Sequence, residues 1–231
     1  MLESADGTRV AAFAATPDEP SGNAVVILPD VRGLYRFYEE LALRFAEHGH
    51  AAIAVDYFGR TAGAAKRGDD FEYMPHVDQT TQEGIQADIR AAVEHVRPQA
   101  RAVFTVGFCF GGRNSWLAAA SGHGLAGAIG FYGRPGAARD GAPGPASRAR
   151  ELEAPILALM GGADAGISAD DVAAFERALQ EAAVEHEVVV YPGAPHSFFD
   201  RKQDEYSDAS ADAWRRVLAF IERYGAKRAA A

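Results

Sequence analysis

Short, continuous apolar runs alternate along the chain with longer segments in which apolar residues recur at helical spacing. Runs of this kind are typical of strands in a parallel sheet, because helices then cover both of its faces. The predicted strands lie at 10–14, 23–28, 51–55, 102–108, 125–132, 156–160 and 187–191. The predicted helices lie at 35–48, 79–96, 112–120, 170–183 and 204–224. The pattern predicts the α/β class, with a mostly parallel central sheet of about seven to eight strands and helices on both faces.

Two segments interrupt this alternation, at 59–75 and at the Gly- and Pro-rich stretch 133–155. Both follow predicted strands, so we expect them at the carboxyl edge of the sheet, where open α/β sheets bind their ligands. Strands continue on both sides of 133–155, and neither half has an obvious complete sheet of its own. The chain is therefore interpreted as one domain spanning 1–231.

Composition narrows the classes of function. The formal net charge is −9, which disfavours binding to nucleic acid or to an anionic membrane. The single cysteine cannot form an intramolecular disulfide, the N-terminus lacks the pattern of a signal peptide, and no apolar run is long enough for a membrane helix. We expect a cytoplasmic monomer or small homo-oligomer.

The only cysteine lies in Gly107-Phe108-Cys109-Phe110-Gly111, between a predicted strand and a predicted helix. This spacing matches the nucleophile elbow, a sharp strained turn in which small flanking residues leave room for the neighbouring backbone. The N-terminus of the following helix favours a thiolate, and the Phe110 amide is placed to face a developing oxyanion. The alternative is a buried structural cysteine, as free cysteines often are.

Candidate partners for the thiol follow two later strands. Asp164 comes after the strand at 156–160, and His196 after the strand at 187–191, so both are expected at the same sheet edge as Cys109. The chain order nucleophile, acid, histidine is that of the α/β-hydrolase arrangement. Alternatively, Asp164 caps a helix or turn while Asp170 or Asp171 takes its role, and His196 is a solvated loop residue.

The segments VILPDVRGL, AAIAVDYFGR, GFCFGG, GGADAGI and GAPHSFFDR together resemble the dienelactone hydrolase family of α/β-hydrolases, over nearly the whole chain. The resemblance implies a Cys-Asp-His triad, which falls here on Cys109, Asp164 and His196. It also implies an oxyanion hole built from two backbone amides, which correspond to Phe110 and Val31.

The sequence departs from the family pattern at two places. Where well-known members have a glutamate that holds the resting thiol, this chain has Asp30, which is either thiol-contacting or a turn residue after Pro29. The arginine that would follow the histidine and bind an anionic substrate is displaced: Asp200 holds that position and Arg201 comes next. Further candidates for binding substrate are Arg32, Arg60, Arg67, Phe37, Tyr73, Phe198 and Phe199. The alternative is that the arginines are ordinary surface charges and that the aromatic residues belong to the core.

The predicted function is hydrolysis of a small-molecule ester or lactone through an acyl-enzyme on Cys109. No metal or organic cofactor is expected, because the sequence has no His/Cys cluster at zinc-ligand spacing and no glycine-rich nucleotide motif. One alternative is acyltransferase or thioesterase-like activity on the same triad. The other is a non-catalytic α/β protein that binds a ligand or senses through its thiol.

Overall fold

The computed structural model describes residues 1–68, 70–138 and 141–229. Its main sheet has seven strands in the order β3-β5-β4-β6-β7-β8-β9, and only β3 runs antiparallel to its neighbour. The prediction of a mostly parallel sheet is confirmed. The strands are β3 Ala12–Ala15, β4 Asn23–Leu28, β5 Ala51–Val55, β6 Ala102–Phe108, β7 Gly127–Phe131, β8 Ile156–Gly161 and β9 His186–Tyr191. Two short strands, β1 Leu2–Glu3 and β2 Arg9–Val10, form a separate antiparallel pair.

Helices cover both faces of the main sheet. They are α1 Arg36–Glu47, α2 Gly59–Ala62, α3 Met74–Val77, α4 Gln82–Val96, α5 Phe110–Ala118, α6 Ala169–Glu181 and α7 Ser207–Ala229. Short 3₁₀ turns lie at Arg97–Gln99 and Ala149–Glu151. No helix within the described ranges is long and apolar enough to cross a membrane.

Two apolar cores lie on opposite faces of the sheet. Along β4, Val25 and Ile27 enter the core beneath α1 and α7, whereas Ala24, Val26 and Leu28 enter the core beneath α4, α5 and α6. Successive side chains of a strand point to opposite faces, so a strand covered on both sides must be apolar throughout. This is the physical basis of the continuous apolar runs in the sequence.

Several boundaries differ from the sequence prediction. The strand expected at 10–14 is divided between two sheets: β2 ends at Val10, which pairs with Leu2, whereas β3 begins at Ala12, which pairs with Val55 of β5. Helix α4 begins after Thr81, whose side chain caps the Gly84 amide, rather than at residue 79. The segment 59–75 contains all of the short helix α2 and the start of α3.

Candidate active site

The turn around Cys109 requires glycine at two positions. A β-carbon on Gly107 would lie 1.9 Å from the Gly111 carbonyl oxygen, and one on Gly111 would lie 2.0 Å from the Leu28 carbonyl oxygen. Real contacts of that length do not occur, so both residues must lack a side chain. The two glycines allow strand β6, helix α5 and the end of β4 to approach closely enough to form the turn.

Cys109 itself has a strained backbone conformation, with φ 54° and ψ −111°. A non-glycine residue with positive φ in this region is held there only by its surroundings. The Cys109 amide donates to the Phe131 carbonyl at 2.9 Å, and its carbonyl accepts the Arg113 amide at 3.2 Å. Helix α5 therefore begins at Phe110, two residues earlier than the sequence predicted, and the partly exposed thiol lies directly before its N-terminus.

His196 lies between the thiol and Asp164. Its Nδ1 atom is 2.6 Å from Oδ2 of Asp164, and the Cys109 side chain is close enough to raise the pKa of the imidazole. The side chain of Asp164 is 3% exposed and that of His196 is 32% exposed. Asp164 and His196, which the sequence predicts to meet at this edge, therefore lie in contact.

The charges in this arrangement perturb one another. Burial alone would lower the pKa of His196, but the hydrogen bonds to Asp164 and Cys109 outweigh it and raise the pKa to about 10. For Asp164, burial acts to raise the pKa, but the His196 hydrogen bond and the Gly166 amide, 2.8 Å from Oδ1, lower it below its ordinary value. The geometry favours an imidazolium held against an ionised carboxylate.

The competing aspartate Asp171 has another role. Asp171 forms a capping box with Ser168 at the start of α6: the Asp171 amide donates to the serine hydroxyl at 3.1 Å, and the Ser168 amide donates to the Asp171 carboxylate at 3.2 Å. This reciprocal pair satisfies amides that the first turn of a helix leaves free. Asp164, not Asp171, is the carboxylate in contact with His196.

Two backbone amides are available beside the thiol. Phe110 is the first residue of α5, and the amide of a first helical residue has no acceptor within its own helix. Val31 is the second residue of a turn closed by the Gly33 amide on the Asp30 carbonyl at 3.1 Å, which leaves the Val31 amide outside the turn. Neither amide donates to another group in the described part of the chain.

Asp30 is bound to Arg32. The Arg32 Nε and Nη2 atoms both reach Oδ2 of Asp30, at 2.9 and 2.7 Å, and the Arg32 amide reaches Oδ1 at 2.9 Å. Among the described residues, the Asp30 carboxylate has no hydrogen bond to Cys109. The carboxylate therefore organises its own turn and pairs with the arginine, which corresponds to the turn-residue alternative.

The aromatic candidates separate by burial. Phe198 is fully buried, with its ring 5.5 Å from that of Tyr132 and 5.1 Å from that of Tyr191, and Phe199 is 1% exposed. Both belong to the core. Phe37 and Tyr73 are partly exposed, and the Phe37 ring meets that of Phe108 edge-on at 6.0 Å.

Sequence reasoning missed one side chain at the site. Tyr132 follows the last residue of β7, and its ring centroid lies 4.9 Å from that of His196. Its hydroxyl donates to Oδ1 of Asp200 at 2.9 Å, and its φ of 38° marks a second strained residue at this edge. Its position in the sequence could have identified it: β7 is parallel to β6 and adjacent to it, so Tyr132 follows β7 at the same sheet edge as Cys109.

Asp56 organises the adjacent loops. Its buried carboxylate accepts the amides of Leu34 and Phe58, each at 3.0 Å, and pairs with Arg67 at 2.7 Å. These contacts fix the turn that carries Val31 against the segment after β5. In the described ranges, no group of three or more His, Cys, Asp or Glu side chains is arranged to hold a metal ion.

The family model of the dienelactone hydrolase family matches residues 10–225. The chain belongs to the dienelactone hydrolase family. This match confirms the resemblance inferred from the sequence and the prediction of a dienelactone hydrolase-like hydrolase.

Individual members of the dienelactone hydrolase family agree with this assignment. A carboxymethylenebutenolidase of Rhodococcus opacus is 31% identical over 220 residues, which cover 91% of this chain and 84% of the relative. A protein of Escherichia coli K12, provisionally named carboxymethylenebutenolidase, is 31% identical over 239 residues, which cover 96% of this chain and 85% of the relative. A crystal structure of a Klebsiella pneumoniae protein, provisionally called dienelactone hydrolase, superposes with a TM-score of 0.84 at 28% identity. The match covers 97% of this chain and 98% of the other.

Proposed function

We propose that the protein hydrolyses small esters or lactones through a covalent acyl-enzyme on Cys109. The observation that carries this proposal is the His196–Asp164 contact at the same sheet edge as the strained elbow of Cys109, whose side chain raises the pKa of the imidazole. A thiol nucleophile needs a base within hydrogen-bond reach, and the base needs a third group to orient it. Names of relatives, carboxymethylenebutenolidase among them, support an ester or lactone as the substrate class.

In the acylation step, the Cys109 sulfur attacks the acyl carbon and a tetrahedral intermediate forms. Because Nδ1 of His196 is held by Asp164, the other ring nitrogen, Nε2, faces the sulfur and carries the proton that has left the thiol before the attack. The same nitrogen then gives that proton to the departing alkoxide. The carbon–oxygen bond breaks, and the acyl group remains attached to sulfur as a thioester.

In the deacylation step, His196 accepts a proton from water, and the hydroxide attacks the thioester carbon. The carbon–sulfur bond breaks, the acid leaves, and the thiolate–imidazolium pair is restored. The raised pKa of His196, about 10, supports a protonated imidazole at neutral pH. Asp164 stays ionised and stabilises the imidazolium.

We assign the oxyanion hole to the amides of Val31 and Phe110. Both are unused by protein acceptors in the described residues, and the Phe110 amide carries the partial positive charge of the α5 N-terminus. Donors fixed in this way stabilise the charge that develops on the acyl oxygen without reorganising during the reaction.

The proposal is tested by steady-state hydrolysis of p-nitrophenyl acetate and butyrate by the wild type, Cys109→Ala and Cys109→Ser. We expect the alanine variant to lose turnover while keeping the circular dichroism spectrum and Tm of the wild type. We expect the serine variant to retain only weak activity, because oxygen is harder to ionise than sulfur without a retuned base. Wild-type turnover by the alanine variant would exclude Cys109 as the nucleophile.

A further inference from the structure

A buried group of three charged side chains, Asp30, Arg32 and Asp200, lies beside the candidate active site. Each carboxylate is 2% exposed, and the arginine between them is 21% exposed. The Arg32 Nη2 atom is 2.7 Å from Oδ2 of Asp30 and 3.1 Å from Oδ2 of Asp200. One guanidinium therefore serves two carboxylates.

This group spans the two sides of the proposed reaction centre. Arg32 directly follows Val31, whose amide we assign to the oxyanion hole, so their Cα atoms are about 3.8 Å apart. Asp200 accepts the Tyr132 hydroxyl at 2.9 Å, and the Tyr132 ring lies against the His196 imidazole. A bound acyl group would consequently lie close to all three charges.

An arginine captures a substrate carboxylate most strongly through a pair of parallel N–H groups. In Arg32 that pair, Nε and Nη2, already binds Asp30, and Nη2 also reaches Asp200. Arg201 is directed to the same group, with Nε 3.9 Å from Oδ2 of Asp200 and Nη2 3.0 Å from the Ser197 hydroxyl. The positive charge on this side of the site is matched by protein carboxylates.

The remaining arginines named as substrate-binding candidates are also paired. Arg67 binds Asp56 at 2.7 Å, and both side chains are buried. Arg60 binds Asp88 at 2.7 Å and also contacts Asp6. All four arginines considered from the sequence therefore face carboxylates within the protein.

We propose that Asp200 is a specificity-determining residue that neutralises Arg32 and makes the site select esters with an uncharged acyl group. This inference rests on the proposed ester hydrolysis. Arg32 and Arg201, the two described arginines at this group, already pair with its carboxylates, so an anionic acyl chain would have to compete with Asp200 for their guanidinium groups. A neutral acyl chain of the same length avoids that competition.

The test compares two p-nitrophenyl esters with four-carbon acyl chains, the neutral butyrate and the anionic hemisuccinate, at pH 7.5. We expect kcat/KM of the wild type to favour the butyrate by about tenfold or more. In Asp200→Asn the amide oxygen can still accept the Tyr132 hydroxyl, but the negative charge is gone. We expect the preference to move toward the hemisuccinate by about tenfold.

Asp212→Asn is the matched control. Asp212 also accepts a tyrosine hydroxyl, from Tyr191 at 2.9 Å, and pairs with arginine, Arg216 Nε at 2.6 Å, but it lies on α7 away from Cys109. Both variants remove one negative charge from a chain of formal charge −9, so a general effect of net charge would appear equally in both. The control should keep the wild-type ratio.

A wild-type preference for the hemisuccinate, or an equal ratio in Asp200→Asn and Asp212→Asn, would overturn the inference. If Asp200→Asn does not fold, Asp200→Ser decides the question, because a hydroxyl can also accept the Tyr132 hydroxyl but carries no charge. A ratio of the two esters in Asp200→Ser equal to that of the wild type would contradict the proposal. If the wild type turned over neither ester, or if turnover persisted in Cys109→Ala, the proposed function itself would be refuted.

Discussion

The Nδ1 atom of His196 lies 2.6 Å from Oδ2 of Asp164, although the two residues are 32 positions apart in the chain. Asp164 comes three residues after the end of β8, and His196 comes five residues after the end of β9, the next strand of the sheet. Parallel strands end at one edge, so this topology brings the two side chains together without a long connection. The contact holds one tautomer of the imidazole with its other nitrogen toward Cys109.

Asp164→Asn should reduce kcat for p-nitrophenyl butyrate by about 10³- to 10⁴-fold, because an amide stabilises neither the correct tautomer nor the imidazolium. Steady-state kinetics measure the effect. Asp171→Asn is the control, since Asp171 caps α6 and does not contact His196. It should lower Tm slightly and leave kcat unchanged. A variant of Asp164 with near-wild-type kcat would show that another group orients the histidine.

His196 predicts a specific dependence of stability on pH. Its pKa is about 10 in the folded protein against 6.5 as the ordinary value, so the folded state holds the proton more tightly than the unfolded state. The resulting stabilisation is fully present below pH 6.5 and is lost as the pH rises through about 10. The Tm difference between the wild type and His196→Gln should therefore shrink across that interval.

His123→Gln is the control for this pH series. Burial lowers the pKa of His123 to about 4, so above pH 6.5 this residue is neutral in both the folded and the unfolded state. Its Tm difference from the wild type should stay constant from pH 7 to 10. A constant difference for His196→Gln over the same range would contradict the ion pair with Cys109 and Asp164.

Gly111→Ala should destabilise the protein by about 3 kcal/mol or more, because the new β-carbon would overlap the Leu28 carbonyl oxygen and force β4 and α5 apart. Urea unfolding measures the loss. Gly136→Ala is the matched control, since a β-carbon there meets nothing within 4 Å and its φ is not positive. Equal stability of the two variants would mean that the elbow relaxes more readily than its contacts indicate.

Arg67→Gln should lower the free energy of unfolding by about 3–5 kcal/mol, because it leaves the buried carboxylate of Asp56 without its charged partner. The adjacent residue supplies the control. Lys66 pairs with Glu39 at the surface and is 67% exposed, so Lys66→Gln should cost no more than about 1 kcal/mol. Similar losses in the two variants would show that burial of the Arg67–Asp56 pair has no special energetic role.

Much of the fold follows from patterns that are local in the sequence. Apart from Asn23 and Thr105, the runs at β4, β5 and β6 are apolar because two cores enclose them, and this property identifies buried parallel strands. The division of the segment 10–14 between two sheets could not be read in the same way. It depends on which strands pair in space: Val10 pairs with Leu2, whereas Ala12 pairs with Val55.

The candidate site could be predicted from the sequence where the role of a residue follows from its position after a strand. Cys109, Asp164 and His196 each follow a strand, so their meeting required only the topology of a parallel sheet. The partners of Arg32 were not predictable, because its pairing with both Asp30 and Asp200 depends on how two loops meet in space. Tyr132 was missed because a tyrosine at the end of an apolar run has the pattern of a core residue.

The most direct test of the central claim is intact-protein mass spectrometry on a rapid quench, milliseconds after mixing the enzyme with excess p-nitrophenyl butyrate. The wild type should gain the mass of one butyryl group, peptide mapping should place that group on Cys109, and Cys109→Ala should gain none. His196→Gln should accumulate the adduct only slowly, since it lacks the base. Full hydrolysis by the wild type with no adduct at any quench time, or an adduct mapped to another residue, would contradict the account.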